Sequence, residues 1–258
     1  EFNKSLLGIV RAGVGYNNIP IDRCTENGVV VFNTPGANAY AVSELAILLM
    51  LAVGRKLICH ERKLQAGVWS RELFTAQSRT LHHKTMGIVG GGNIGRQVAL
   101  KAQAFGATTQ YYDPFRLKPE MEKEFHLTYV PYETLLKTSD VITYHVPLND
   151  GTHYMLNKDT IKTVKPGAIV INTSHGGIVE EAAILQAVQA GKLSGAGLDC
   201  TEDTPIQMDS PLLKEPNIVV TPHIGGTAND MADAILPMII GNLKKLAAGE
   251  KLEYVVNR

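Results

Sequence analysis

Short apolar runs of strand length alternate with helical stretches along most of this chain, and this alternation constrains its fold more than any other feature. The predicted strands are residues 85–89, 108–112, 141–144, 168–172, 195–199 and 218–221, with helices such as 95–105 and 180–190 between them. Parallel strands need long crossover connections, and helical crossovers cover both faces of a sheet. The sequence therefore predicts an α/β fold with a doubly wound parallel sheet.

The first 33 residues predict part of a smaller unit. Residues 7–10 and 29–32 have the composition of strands, and residues 20–27 lie between them as a short helix. So short a segment cannot bury a core by itself. We expect the C-terminal helix, about residues 228–248, to return to it and complete a second, smaller α/β lobe.

A glycine-rich loop joins the first strand of the large sheet to the helix that follows. The run GGGNIG contains GxGxxG. Gly90 would permit the tight turn, Gly92 would let a diphosphate approach bare backbone, and Gly95 would let helix and strand pack closely. Asn93 and Ile94 complete the motif at the helix N-terminus, which attracts phosphate. The loop predicts a Rossmann-type dinucleotide site.

Asp113 bears on which dinucleotide is bound. It stands at the end of the second strand, near the spacing of about 20 residues at which an acid binds the adenosine ribose hydroxyls. A carboxylate there would repel a 2′-phosphate, so we expect NAD rather than NADP. Arg116 is a nearby cation that a phosphate could recruit, which leaves NADP as an alternative. Another alternative is that Asp113 only forms the turn before Pro114.

Composition argues against several kinds of partner. Twenty-five basic and 25 acidic side chains cancel, and no basic run suggests binding to nucleic acid or to an anionic membrane. The most apolar stretch, residues 45–53, is shorter than the roughly 20 residues that cross a bilayer. The three cysteines show no CxxC spacing, so neither a disulfide framework nor a metal site is indicated. We expect a cytoplasmic protein that binds a small molecule.

His223 is the candidate acid–base group. Oxidation of a secondary alcohol beside a carboxylate needs a hydride acceptor and a base for the hydroxyl proton, and histidine is the usual base. His223 follows an apolar strand, where the loops of open α/β sheets gather around ligands. Taken alone, a histidine in such a loop is more often structural.

Eight motifs together resemble the D-isomer-specific 2-hydroxyacid dehydrogenases, a family that includes D-3-phosphoglycerate, D-lactate and glycerate dehydrogenases. The motifs are RAGVG from Arg11, VFNTP from Val31, VSE from Val42, the glycine loop, HVPL from His145, INT from Ile171, GLD from Gly197 and TPH from Thr221. They extend over nearly the whole chain. The resemblance implies NAD-dependent interconversion of a D-2-hydroxy acid and its 2-keto acid, with 3-phosphoglycerate as the first substrate to consider.

The resemblance also implies two lobes with an active-site cleft between them. The NAD-binding lobe would be residues 34–225, and residues 1–33 and 226–258 would belong to the substrate lobe. A homodimer would form around the helix that follows Val42. Members of the family normally carry a further segment ahead of the position where this chain begins, so the substrate lobe would be incomplete.

Roles for single residues follow from the resemblance, position by position. The backbone amides of Val14 and Gly15 would bind the substrate carboxylate, and His223 would be the acid–base group. Asp199 would hold the nicotinamide carboxamide. The residues that would line the cofactor are Val146, Thr152 and Thr173, for which ordinary loop or strand-end packing is the alternative.

Two positions depart from the family pattern. Where the family has an arginine that grips the substrate, this chain has His175, which lacks the planar guanidinium fork. Where the family has a glutamate beside the catalytic histidine, this chain has Thr204, which offers only a hydroxyl. Glu202 or Asp203 could replace that glutamate. The alternative function is an NAD(H)-binding regulatory or catalytically weakened homologue.

Overall fold

The computed structural model describes residues 2–16 and 18–257, and the chain divides into two compact units. The smaller unit comprises residues 1–41 and 226–258, and the larger comprises residues 42–225. Residues 34–41, which the resemblance assigns to the NAD-binding lobe, therefore cluster with the smaller unit. Thr34 shows why, because its amide donates to the Gly13 carbonyl at 3.1 Å and its hydroxyl accepts from the Gly13 amide at 2.8 Å.

The smaller unit begins with a strand, a helix and a strand. These elements are β1 (Gly8–Arg11), α1 (Ile21–Glu26) and β2 (Val30–Asn33). The two strands pair in parallel, with Val10 opposite Phe32. Helix α1 makes the crossover that parallel strands require, and Cys24 on this helix packs with Val29 and Val31 in a small buried cluster.

The larger unit is built on a parallel sheet of seven strands. The strands are β3 (Thr85–Val89), β4 (Thr108–Tyr112), β5 (Thr128–Tyr129), β6 (Val141–Tyr144), β7 (Ala168–Asn172), β8 (Leu193–Leu198) and β9 (Ile218–Val220). Their order in the sheet is β5-β4-β3-β6-β7-β8-β9. The direction of winding reverses between β3 and β6, and in open α/β sheets ligands bind outside the carboxyl ends of the strands at such a point. The predicted doubly wound α/β fold is confirmed.

Helices cover both faces of this sheet. They are α2 (Ala39–Gly54), α3 (Leu57–Gln65), α4 (Asn93–Ala104), α5 (Pro119–Glu124), α6 (Tyr132–Thr138), α7 (Glu181–Gln189) and α8 (Pro211–Lys214), with 3-10 turns at Thr75–Gln77 and Thr160–Lys162. Apolar residues of α2 and α4 belong to one buried cluster, and those of α6, α7 and α8 belong to another. Helix α4 ends where Gly106 adopts a positive φ of 78°, which lets the chain turn directly into β4.

The C-terminal residues complete the smaller unit. Helix α9 (Met231–Ala248) begins slightly later than predicted. The segment after it was not predicted to pair with a strand. It runs antiparallel to β2, with Val255 opposite Phe32, and the Val256 amide donates to the Val31 carbonyl at 2.9 Å.

The described part of the chain shows neither a membrane-spanning helix nor a metal site. No helix there has the length and apolar character needed to cross a bilayer. No group of three or more histidine, cysteine or acidic side chains there is arranged to hold a metal ion. The three cysteines are buried free thiols.

Candidate dinucleotide and catalytic site

The glycine loop combines two tightly packed positions with an open one. Gly90 has a φ of +104°, and a Cβ there would lie 2.5 Å from the His145 carbonyl oxygen. A Cβ on Gly95 would collide with the Gly90 carbonyl oxygen, whereas a Cβ on Gly92 would meet no atom within 4 Å. The fold therefore requires glycine at 90 and 95, while Gly92 leaves free space beside the start of α4. No side chain caps that helix start. A diphosphate fits this arrangement, since it needs room and unpaired amides.

Asp113 is attached directly to this loop. Its Oδ2 accepts a hydrogen bond from the Gly91 amide at 2.8 Å, and its Oδ1 accepts one from the Phe115 amide at 2.9 Å. The second bond is the turn-forming role that the sequence left open. The first fixes the carboxylate beside the glycine loop, where the ribose-binding role would need it.

The three residues proposed to line the cofactor differ in how their side chains are used. A Cβ on Gly90 would lie 3.0 Å from a methyl group of Val146, so that valine borders the glycine loop. The Thr173 hydroxyl is buried and has no hydrogen-bond partner among the described residues. An unpaired buried hydroxyl is costly, so a ligand group there would compensate it. The Thr152 hydroxyl is instead used within its own loop, donating to the Pro147 carbonyl at 2.6 Å.

Asp199 anchors the loop that carries His223. Its carboxylate is buried and accepts hydrogen bonds from the Thr221 hydroxyl at 2.6 Å, the Ile224 amide at 2.8 Å and the Gly225 amide at 2.8 Å. These donors lie on both sides of His223 in the chain. Hydrogen-bonded residues on both sides thus hold His223 at its positive φ of 57°. The His223 side chain is exposed.

His175 lies after the carboxyl end of β7, and its carbonyl accepts a hydrogen bond from the Asn172 side chain at 2.8 Å. Its Nδ1 is buried without a hydrogen-bond partner within the described structure. Burial lowers the pKa of His175, the nearby His223 lowers it further, and a hydrogen bond with the Val146 backbone opposes the shift. Near neutral pH this imidazole is therefore uncharged. His175 therefore supplies no cation after the carboxyl end of β7.

The acidic stretch before Pro205 does not supply a carboxylate to His223. The Thr204 hydroxyl donates to the Thr201 carbonyl at 3.4 Å. The Glu202 side chain accepts from the Glu181 amide at 2.9 Å, at the start of α7, and its own amide donates to the Glu181 carboxylate at 2.5 Å. Among the residues that the structure describes, no acid forms an ion pair with His223. The idea that Glu202 or Asp203 replaces the family glutamate gains no support.

The loop of the smaller unit that precedes α1 presents free amides. The Gly13 amide is bound by Thr34, and the Val14 carbonyl accepts from the Asn33 side chain at 2.9 Å. The Arg11 Nε donates to the Gly15 carbonyl at 2.8 Å. No acceptor within the described residues is bound by the amides of Val14 and Gly15. These are the two amides that the resemblance assigns to the substrate carboxylate.

Two residues at the nucleotide site were not identified from the sequence. Arg96 donates to the Gly91 carbonyl at 2.8 Å and to the Asn93 side chain at 2.7 Å, so it braces the glycine loop. His145 is half-buried, with its Nδ1 enclosed and without a hydrogen-bond partner among the described residues. Its Nε2 lies 2.8 Å from the Thr143 hydroxyl, and desolvation of the ring lowers its pKa to about 3. The only signals in the sequence were a cation next to Gly95 and a histidine in the HVPL motif.

An open glycine loop with an acid beside it, and a fixed histidine loop at the carboxyl edge of the same parallel sheet, define a dinucleotide-dependent oxidoreductase. Residues 47–225 match the family described as D-isomer specific 2-hydroxyacid dehydrogenase, NAD binding domain. The chain belongs to this family of NAD-dependent oxidoreductases, and its larger unit contains the NAD-binding domain.

Known proteins of this family are similar along nearly the whole chain. Glyoxylate reductase of Thermococcus litoralis is 38% identical over 257 residues, which cover 97% of this chain and 76% of that protein. D-3-phosphoglycerate dehydrogenase of Archaeoglobus fulgidus is 39% identical over 254 residues, which cover 98% of this chain and 48% of that protein. The chain thus spans about half the length of the second relative.

A solved structure gives a similar result. D-lactate dehydrogenase from Aquifex aeolicus, in complex with NAD and lactic acid, superimposes with a TM-score of 0.83 at 30% identity. The match covers 95% of this chain and 77% of that chain.

Proposed function

We propose that the protein interconverts a D-2-hydroxy acid and its 2-keto acid with NAD(H). The observation that carries this proposal is the Asp199 anchor, which fixes the loop of His223. Strands β3, β8 and β9 are parallel members of one sheet, so the glycine loop, Asp199 and His223 follow strand ends at the same edge. An acid–base group and a dinucleotide site at one edge are what hydride transfer requires.

Separate groups of residues would bind the cofactor, bind the substrate and transfer the proton. The glycine loop and the start of α4 would hold the diphosphate, Asp113 the adenosine ribose and Asp199 the nicotinamide carboxamide. NAD supplies the hydride acceptor when it is bound. His223 takes the proton of the substrate hydroxyl during oxidation and returns it during reduction. The amides of Val14 and Gly15 bind the substrate carboxylate.

His175 bears on which acid is preferred. An uncharged imidazole can donate one hydrogen bond to a substrate carboxylate, whereas arginine can donate two and carries a positive charge. The loss of a cation disfavours substrates with several negative charges. The names of the two relatives suggest glyoxylate and 3-phosphoglycerate as substrates. We therefore expect glyoxylate to be preferred over 3-phosphoglycerate, although 3-phosphoglycerate is the first substrate that the sequence suggests.

Absorbance of NADH with a panel of 2-keto acids tests the activity. The panel consists of glyoxylate, hydroxypyruvate, pyruvate and 3-phosphohydroxypyruvate. His223→Asn should abolish turnover, since asparagine tolerates a positive φ but cannot transfer the proton. His83→Asn is a matched control, because His83 is also exposed and has the same φ of 57°. A wild-type protein inert toward the whole panel would exclude the proposal.

The second candidate function is NAD(H) binding with little turnover, in a regulatory role. It is favoured by the uncharged His175 and by the absence of an acid paired with His223 in the described structure. Calorimetry would then detect NADH binding by a protein that exchanges no hydride, and the double variant H175R/T204E would gain activity. A loss of existing activity in that variant would instead make both residues working parts of the mechanism.

We also propose that the protein is a cytoplasmic homodimer. Exposed apolar side chains on α3 and on the segment that follows it support the dimer, and three free thiols suit a reducing compartment. The dimer would form around α2 and this neighbouring segment.

A further inference from the structure

We propose that Glu122 makes the protein selective for NAD over NADP by holding the Arg116 guanidinium. Arg116 is the cation near Asp113 that a 2′-phosphate could recruit. Glu122 acts on cofactor choice through that arginine, so it is a positioning residue.

Arg116 and Glu122 form a two-point ion pair. The Nε of Arg116 lies 2.8 Å from Oε1 of Glu122, and its Nη2 lies 3.0 Å from Oε2. This is the fork geometry in which arginine binds carboxylate and phosphate most strongly. The same two donors cannot serve a phosphate while Glu122 holds them.

Aromatic side chains support both partners. The Tyr111 hydroxyl donates to Glu122 Oε1 at 2.7 Å and accepts from the Leu117 amide at 2.9 Å. The Arg116 guanidinium lies 5.0 Å from the ring centre of Tyr129. The Glu122 side chain is only 15% exposed, whereas that of Arg116 is 61% exposed. The carboxylate is therefore the fixed partner, and the arginine is the partner that could move.

The charge of the pair is constant across the physiological range. Hydrogen bonds from Arg116 and then Tyr111 lower the pKa of Glu122 to about 2. Burial and the bond to Glu122 raise the pKa of Tyr111 to about 12. Glu122 therefore stays ionised, and Tyr111 stays a neutral hydrogen-bond donor, near neutral pH.

The pair matters to the cofactor because of where Arg116 lies. Asp113, on the same connection after β4, is bonded to the glycine loop and repels a 2′-phosphate. Only a free cation could offset that repulsion. The other guanidinium at the loop, that of Arg96, is already bonded to Gly91 and Asn93. With Glu122 in place, the guanidinium groups of both Arg96 and Arg116 are engaged by other groups, and neither offsets the charge of Asp113.

Titration of protein fluorescence with NADPH and with NADH tests this without requiring turnover. We expect Glu122→Gln to tighten NADPH binding about tenfold, the value of one charged hydrogen bond, with little change for NADH. Glu120→Gln is the matched control, because Glu120 is an exposed acid on the same short helix. Its two affinities should equal those of the wild type.

A double-variant cycle isolates the arginine. Arg116→Ala alone should change NADPH binding little, because Glu122 pairs with the arginine's charge and occupies two of its donors. In the E122Q background, the same substitution should remove the whole gain in NADPH affinity. The proposal is wrong if E122Q binds NADPH no more tightly than E120Q, or if R116A alone weakens it tenfold. Thermal unfolding checks each variant, and Glu122→Ala, which also removes the carboxylate, provides the same comparison if E122Q does not fold.

Discussion

Asp199 shows how one buried carboxylate can organise the loop that carries His223. All three hydrogen bonds that it accepts come from residues 221–225, one from a side chain and two from backbone amides. A carboxylate can accept at both oxygens, whereas an amide side chain presents a donor at one of them. The charge of Asp199 therefore holds His223 in place through backbone rather than by contact.

Asp199→Asn should accordingly destabilise the protein and loosen this loop. One donor of the loop would face the new NH2 group, at a cost of about 1–3 kcal/mol in the free energy of unfolding. Urea unfolding measures the cost, and hydrogen exchange at residues 221–225 should become faster. Asp209→Asn, at an exposed acid, is the control. Unchanged exchange in D199N would mean that other contacts position the loop.

His145 should make stability depend on acid pH. Burial lowers its pKa from the ordinary 6.5 to about 3, so the folded protein resists a proton that the unfolded chain accepts. The stability due to neutral His145 is complete above about pH 6.5 and is lost as the pH falls toward 3, at up to roughly 1.4 kcal/mol per pH unit.

Urea unfolding of His145→Gln at several pH values measures this contribution. Glutamine can still bond to Thr143 but does not titrate, so the decline between pH 6 and pH 4 should be shallower than in the wild type. His153→Gln, at an exposed histidine, should keep the wild-type slope. Equal slopes for H145Q and the wild type would show that His145 is not the group responsible.

At the scale of elements, the glycine loop lets folding and cofactor binding be separated. Gly92→Ala adds a methyl group to open space, so the thermal midpoint should hardly change while NADH binding weakens at least about tenfold. Gly95→Ala forces a methyl group against the Gly90 carbonyl, so it should lower the midpoint itself. Calorimetry with and without NADH gives both quantities. NADH binding unchanged in G92A would place the diphosphate elsewhere.

The elements that the sequence predicted are those whose signals are local. Strands β3, β4, β6 and β7 were predicted at their observed bounds, because each is rich in β-branched or aromatic residues and is ended by glycine, proline or a polar turn. Strand β5 is two residues long and exists only because Gln110 and Tyr111 pair with it. The residues after α9 pair with β2 across most of the chain length, a contact that no local pattern encodes.

The candidate site divides in the same way. The glycine spacing and Asp113 are adjacent in sequence to the elements that position them, so pattern was sufficient to find them. Other features of the site depend on which segments the fold brings together. They are the donors that bind Asp199, the His175 Nδ1 that lacks a partner among the described residues, and the Arg116–Glu122 ion pair. Such three-dimensional contacts decide charge and orientation, which a motif does not specify.

At the scale of the whole molecule, exposed apolar side chains support the proposed dimer. Trp69 is 80% exposed and Leu73 57% exposed, with Leu57 and Leu64 exposed nearby in the chain. Exposed apolar side chains concentrated in one segment are typical of an interface, and aromatic residues often dominate its binding energy. The formal net charge of zero means that no net-charge repulsion opposes pairing of two copies.

The proposed dimer can be tested through the single tryptophan of the chain. Sedimentation equilibrium should give a dimer, and dilution should shift the Trp69 emission to the red as the side chain becomes hydrated. Leu73→Glu should give a monomer with red-shifted emission at all concentrations, because a charge buried in an apolar contact is strongly unfavourable. Leu7→Glu changes a leucine that is 66% exposed in the smaller unit and should remain dimeric. If the wild type sediments as a monomer with emission independent of concentration, the exposed segment has another role. If L73E stays dimeric, the contact lies on a different surface.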